Sequence, residues 1–370
     1  MRYECIIIGG GASGLMLAAM TQVNKGLILE STSAVGTKLL MTGGGRCNLT
    51  HSGSIKDFVD CYDEAGRTLR KCLYKHNNTE MTEWFRSIGV PVVEIDDRYY
   101  PASEKASDVR NALISAAVRN GWEIQVNSKI SDMNNDSDCW KIISGRQTMI
   151  SQKIVIATGG ITYPETGSDG SMFKILERLG INITELKPAL APVYVRDYPY
   201  SELSGVSIPN VTVSAFGTSS NTCKGKASKV TGDILFTHNG FSGPAVLKVS
   251  KYCEQGEIIR FNYNCELKDL PKRMIKLLEN RARGESGDIK TSRLSGLLEA
   301  DDFIVDHIDK RGIVTSGGID LSEIDTGTMA IKRCPGLFAI GEVLDVDGTT
   351  GGYNLQMCYS TAATVSDLHP

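Results

Sequence analysis

An α/β fold carrying an added antiparallel β-domain is what the sequence predicts, on three observations. Near the start, a short apolar run leads through closely spaced glycines into helix-forming residues, the layout of a strand, a tight turn and a helix in a parallel sheet. Later, Lys153–Ile156 and Leu337–Ile340 repeat a short buried run ended by small residues, so the chain returns to that sheet twice. Between them, Lys187 to Cys265 changes to short alternating runs separated by turn residues, the pattern of antiparallel strands.

The first strand, Cys5–Ile8, runs directly into Gly9-Gly10-Gly11-Ala12-Ser13-Gly14, a G-x-G-x-x-G turn in its proper place. Leu15–Met20 then reads as helix, so backbone N–H groups near Gly9, Gly11, Ala12, Ser13 and Gly14 face a pyrophosphate with no side chain in the way. A second strand, Gly26–Leu29, ends in Glu30. That is about twenty residues past the glycine turn, where an acid accepts from an adenosine ribose and disfavours a 2′-phosphate. Together these features describe a Rossmann-type dinucleotide grip.

After Glu30 comes a second glycine-rich loop, Gly36 to Asn48, in which Lys38, Arg46 and Asn48 are donors and Gly43, Gly44 and Gly45 allow close backbone approach. The strand ending in Ala157-Thr158-Gly159-Gly160 passes the same nucleotide. Gly341-Glu342 repeats the strand-then-acid pattern, and Thr349-Thr350-Gly351-Gly352-Tyr353-Asn354-Leu355 opens a final helix. An extended cofactor held from both chain ends fits FAD better than NAD.

The loop Thr42–Asn48, the strand end Ala157–Gly160 with Tyr163–Ser168, Leu235–Pro244 and the stretch Gly341–Gln356 together resemble the BaiN/RdsA-like (YhiN-type) NAD(P)/FAD-dependent oxidoreductases, which include aminoacetone oxidase-like flavoproteins. The resemblance implies a discontinuous FAD-binding Rossmann-type domain (1–186 and 331–370), an inserted antiparallel β-domain (187–266 and 305–330) and a small helical domain (267–304). It also implies FAD contacts at Gly9, Gly11, Gly14, Glu30, Arg46, Asn48, Gly341, Glu342, Gly352, Tyr353 and Asn354. The helical segment is short for that family. Met274, Ile275, Leu277 and Leu278 have helical spacing, as does Ser292–Glu299, around a polar turn at Arg281–Gly287.

In a flavoenzyme the cofactor carries the electrons, and the protein needs chiefly a proton donor or acceptor. His238, in a glycine-bearing loop, and Tyr353, beside the glycine pair, are the candidate catalytic residues. Cys47 lies beside Arg46 without a resolving cysteine nearby and reads as a small packed residue. Asp345 and Asp347 lack an accompanying His and read as turn residues, so no metal site is expected.

The 370 residues, 41% hydrophobic and 22% charged, exclude disorder, and the net charge of −3 gives no overall attraction for phosphate backbones. No apolar run approaches the roughly 20 residues that span a bilayer. Ten scattered cysteines without a C-x-x-C pair suggest reduced thiols and a cytoplasmic location. The expected activity is hydride transfer through flavin N5 to an activated double bond in a small molecule or an RNA nucleobase, with NADH or NADPH as a transient donor. The alternatives are an oxygen-dependent oxidase of a small amine such as aminoacetone, and an RNA- or ribosome-associated protein with structural FAD. For the latter, Lys224, Lys226, Lys229, Lys272, Arg273, Lys276, Arg281 and Arg283 form the best basic clusters. Neither membrane nor DNA is an expected partner.

Overall fold

The structure, a computed structural model, describes residues 1–136, 139–216, 228–263, 270–283 and 300–367. It divides into two compact units, one made of Met1–Lys187 and Val314–Pro370 and the other of Pro188–Ile313.

In the first unit, β1 (Cys5–Ile8) is buried along its whole length, as an apolar β-branched run between parallel neighbours should be. It is followed by α1 (Ala12–Met20) and β2 (Gly26–Leu29). Helix α1 begins at Ala12, inside the glycine motif rather than at Leu15, and Gly14 therefore sits within the helix. A Cβ on Gly14 would lie 2.1 Å from the Gly9 carbonyl oxygen, so only glycine lets the helix cross its own turn this closely. The chain continues through β3 (Thr50–His51), α2 (Asn78–Ser87), α3 (Ala106–Arg119), β4 (Trp122–Gln125) and β5 (Lys153–Ile156).

The second unit is a closed antiparallel barrel. Its strands are β6 (Val193–Val195), β7 (Ser207–Phe216), β8 (Ser228–Phe236), β9 (Gly240–Ser242), β10 (Ile258–Tyr263) and β11 (Asp301–Ile308), in the spatial order β6-β9-β8-β7-β10-β11. Phe236, Phe241 and Phe261 are fully buried inside it, with Phe241 and Phe261 ring centroids 4.1 Å apart. Helix α4 (Lys272–Arg283) follows β10 and continues through Arg281–Arg283, where a turn was expected. The expected helix at Ser292–Glu299 lies outside the described residues, as does half of the segment 267–304.

The chain re-enters the first unit at Val314, earlier than the 331 that the resemblance implied. The reason is that β12 (Ile324–Asp325) and β13 (Ala330–Ile331) pair antiparallel onto β14 (Leu337–Ala339) and extend the parallel sheet. The completed sheet has the order β12-β13-β14-β5-β1-β2-β4. The last helix, α5 (Tyr353–Ser366), is buried along nearly all of its length and packs against α1. Such helices are apolar or small all round, because sheet and neighbouring helices cover both sides.

Candidate functional site

At the carboxyl ends of β1, β2, β5 and β14 the chain turns four times, and each turn contributes to one cradle. The β1 turn places Gly11 at the N-cap of α1, where it brings no side-chain acceptor for the first N–H groups. A Cβ on Gly11 would meet nothing within 4 Å, so the space before the helix is open. Ala12 and the buried Ser13 form the first turn of α1.

Glu30 is only 6% exposed. Its Oε1 accepts from Thr32 N–H at 2.8 Å, Thr32 Oγ1 at 2.9 Å and Ser31 Oγ at 3.2 Å, while Oε2 accepts from Gly10 N–H at 3.0 Å. With one donor on Oε2 against three on Oε1, Oε2 retains acceptor capacity for a hydroxyl. The β5 turn gives Gly159 a φ of +70° and leaves the buried Thr158 Oγ1 without a hydrogen-bond partner among the described residues. A buried hydroxyl lacking a partner is costly, and a ligand donor or acceptor would satisfy it.

Lys38 and Glu342, predicted separately, form one ion pair. Lys38 Nζ stands 2.8 Å from Glu342 Oε2 and donates to Thr162 Oγ1 at 3.0 Å, and Thr315 N–H donates to Glu342 Oε1 at 2.9 Å. Gly341, with φ +72°, approaches α1 so closely that a Cβ would lie 2.5 Å from Ser13 Oγ. Its N–H donates to Thr361 Oγ1 of α5 at 3.0 Å. Residues near position 13 and near position 361 therefore share one floor.

The second glycine loop is wound left-handed at Gly43, Gly44 and Gly45, with φ of 57°, 66° and 88°, and a Cβ on Gly44 would meet open space. Asn48 joins this loop to α5: its Nδ2 donates to Thr50 O at 3.0 Å and its Oδ1 accepts from Gly352 N–H at 3.1 Å. Arg46 lies at the surface, over the Tyr100 ring at 4.8 Å and 3.3 Å from Glu104. Cys47 is fully buried, and burial pushes its thiol up to about 12.

Asn354 closes a turn of its own chain, accepting from Gly348 N–H at 2.8 Å and donating to Gly348 O at 2.9 Å. Tyr353 sits among aromatics, stacked on His51 with centroids 5.3 Å apart and edge-on to Phe58 at 4.9 Å. Burial, reinforced by the neighbouring Cys61, drives its phenol far above the usual range. His238 belongs to the barrel unit, where it is exposed in the turn between β8 and β9. His51 was not singled out in the sequence: a histidine following Asn-Leu-Thr has no pattern to mark it.

The fold and the cradle define a Rossmann-type FAD-dependent oxidoreductase. The chain belongs to the family described as HI0933-like protein Rossmann domain, whose model matches residues 3–367. It is 28% identical over 413 residues to a ribosomal RNA dihydrouridine synthase of Escherichia coli, covering 99% of this chain and 98% of the relative. It is 26% identical over 401 residues to a 3-dehydro-bile acid delta(4,6)-reductase of Clostridium scindens, covering 96% of each. Among solved structures, a 3-ketosteroid delta1-dehydrogenase from Sterolibacterium denitrificans shares the fold with a TM-score of 0.56 at 10% identity, covering 99% of both chains. The E. coli quinol fumarate reductase subunit FrdA does so with a TM-score of 0.52 at 14% identity, covering 100% of this chain and 70% of its own.

Proposed function

We propose that this protein is a reductase that saturates a carbon–carbon double bond conjugated to a carbonyl, in an RNA nucleobase or a small cyclic molecule. The observation that carries the proposal is the two-ended grip, in which the Gly11 turn and Glu30 are completed by Gly341, Glu342 and the start of α5. The activities for which the two relatives are named, forming dihydrouridine and reducing a delta(4,6) bile acid, both saturate ring double bonds. FAD, held by these residues, would supply hydride from its ring system, with NADH or NADPH as the proposed source of electrons.

The chain's own residues do the rest. The open N–H groups of Gly11, Ala12, Ser13 and Gly14 receive the pyrophosphate, with Gly9 kept small so that the turn fits under β5. Glu30 Oε2 accepts a ribose hydroxyl, and Thr158 Oγ1 and the Gly159 turn line the same cleft. The Lys38–Glu342 pair, neutral as a unit, braces the floor without adding net charge beside the phosphates. Gly44, Asn48, Gly352 and Tyr353 shape the far end, Arg46 lies at the rim, and Asn354 keeps the Gly348 turn closed behind them.

The test is an anaerobic visible spectrum of the FAD-loaded protein titrated with NADH and NADPH, then with dithionite, followed by unmodified ribosomal RNA or a 3-keto-4-ene steroid. The expected result is return of the flavin band on adding one of these acceptors without air. A band that recovers with neither, but bleaches with aminoacetone and recovers rapidly in air, overturns the reductase in favour of an oxidase. Salt-sensitive RNA retention without any flavin turnover would overturn the enzyme reading altogether.

A further inference from the structure

Saturating a conjugated double bond needs a proton as well as a hydride, and the first unit places one accessible imidazole at the start of α5. His51 is the last residue of β3, and its carbonyl accepts from the buried Asn78 Nδ2 at 3.0 Å. The preceding Thr50 donates through Oγ1 to Gln356 Oε1 of α5 at 2.7 Å, so the strand is tied to α2 and to α5. The ring lies nearly parallel to Tyr353, 15° between planes. Gly351 follows the same edge: a Cβ there would stand 3.3 Å from His51 Cδ2 and 3.2 Å from Tyr353 Cε2. The missing side chain leaves both ring edges uncovered.

The position along the cradle is set by α5. Cys358 and Thr361 lie against Gly341, which in turn abuts Ser13 in the first turn of α1. From Cys358 back to Gly352 the helix advances about 9 Å at 1.5 Å per residue. A dinucleotide anchored by pyrophosphate at Gly11 and by ribose at Glu30 has its reactive half still to place, and α5 leads from that anchor to the His51–Tyr353 pair. Tyr353 itself holds its proton firmly, because burial raises its phenol.

We infer that His51 is a catalytic residue, donating from Nε2 the proton that completes the reduction; this rests on the reductase reading above. His51 Nδ1 lies 2.7 Å from the Ser52 carbonyl oxygen, which can only accept, so Nδ1 carries a hydrogen. Nε2 has no hydrogen-bond partner among the described residues. In the step, one alkene carbon takes hydride from the bound cofactor, the π pair forms a C–H bond with the Nε2 proton at the adjacent carbon, and imidazolium becomes imidazole. The neutral ring left behind is the Nδ1–H tautomer that Ser52 already holds, and solvent returns the proton. Tyr353 is a positioning residue for the ring.

Two measurements test this. First, diethyl pyrocarbonate labelling with peptide mapping, with and without saturating FAD, should show His51 shielded by FAD while the exposed His307 of the barrel stays labelled. Equal labelling of His51 in FAD-loaded protein overturns its placement, whereas a protein that takes up no FAD sinks the flavoprotein reading instead. Second, reduced FAD-loaded His51→Gln should reoxidise at least tenfold more slowly than wild type with ribosomal RNA or the steroid enone, yet as fast as wild type with ferricyanide, which takes electrons without a carbon-bound proton. Equal enone or RNA rates in variant and wild type overturn the inference, and slowing with ferricyanide as well would make His51 a flavin-positioning residue, not a proton donor.

Discussion

Gly11 and Gly14 belong to one motif, but their substitutions should fail in different ways. Because a Cβ at Gly11 points into open space, Gly11→Val should leave the melting of the flavin-free protein nearly unchanged and weaken FAD binding at least a hundredfold, by filling the pyrophosphate approach. Gly14→Ala puts a carbon 2.1 Å from Gly9 O, and should cost about 1–3 kcal/mol of stability even without cofactor. Denaturant titration and flavin-fluorescence titration on both variants separate the two effects. Cys47 supplies a third expectation: fully buried and with its thiol pushed up to about 12, it should resist iodoacetamide in the native protein near pH 8, while the half-exposed Cys139 reacts. The close turn at Gly9 and Gly14 and the acid that meets it were legible because such tight backbone packing admits few residue types. The clasp of Asn354 on its own Gly348 turn was not, since such an amide has the same sequence signature as one that meets a ligand.

Helix α5 is anchored through the carbonyl of His76, which accepts from Gln356 Nε2 at 3.0 Å and Ser360 Oγ at 2.6 Å. The His76 ring is nearly buried, and burial lowers its pKa from the ordinary 6.5 despite the opposing pull of Asp367. The native state then binds fewer protons than the unfolded chain, so stability is complete above about pH 6.5 and declines as pH falls through the lowered native value. Urea midpoints measured across that window should show the decline, and His76→Gln should remove its contribution. In the barrel, Phe241→Ala empties the centre of a cluster with Phe236, Phe261 and Phe303 and should cost about 3–5 kcal/mol, read from the same titrations. The strands Cys5–Ile8 and Lys153–Ile156 were evident as unbroken apolar runs. Barrel closure was not, because it depends on pairing Val193 with Ile308 across more than a hundred residues, and β12 and β13, two residues each, are too short to carry a periodicity.

The cradle is built wholly within the first unit, and the two chain segments that lead to and from the barrel come together, with Thr184 N–H bonded to Gly318 O at 2.8 Å. Replacing 188–313 by a short flexible linker should therefore yield a protein that still takes up FAD with affinity within about tenfold of the full chain, measured by flavin fluorescence. The aligned length shared with the E. coli relative, 413 residues, exceeds this chain's 370, so that relative carries insertions that this protein lacks. During synthesis, the Gly11 turn is made long before Gly341, Glu342 and Thr361, which its floor needs. A nascent chain halted before those residues would lack both the Lys38–Glu342 pair and the Gly341–Thr361 hydrogen bond, so the proposed FAD cradle could close only after segments far apart in sequence had both been made.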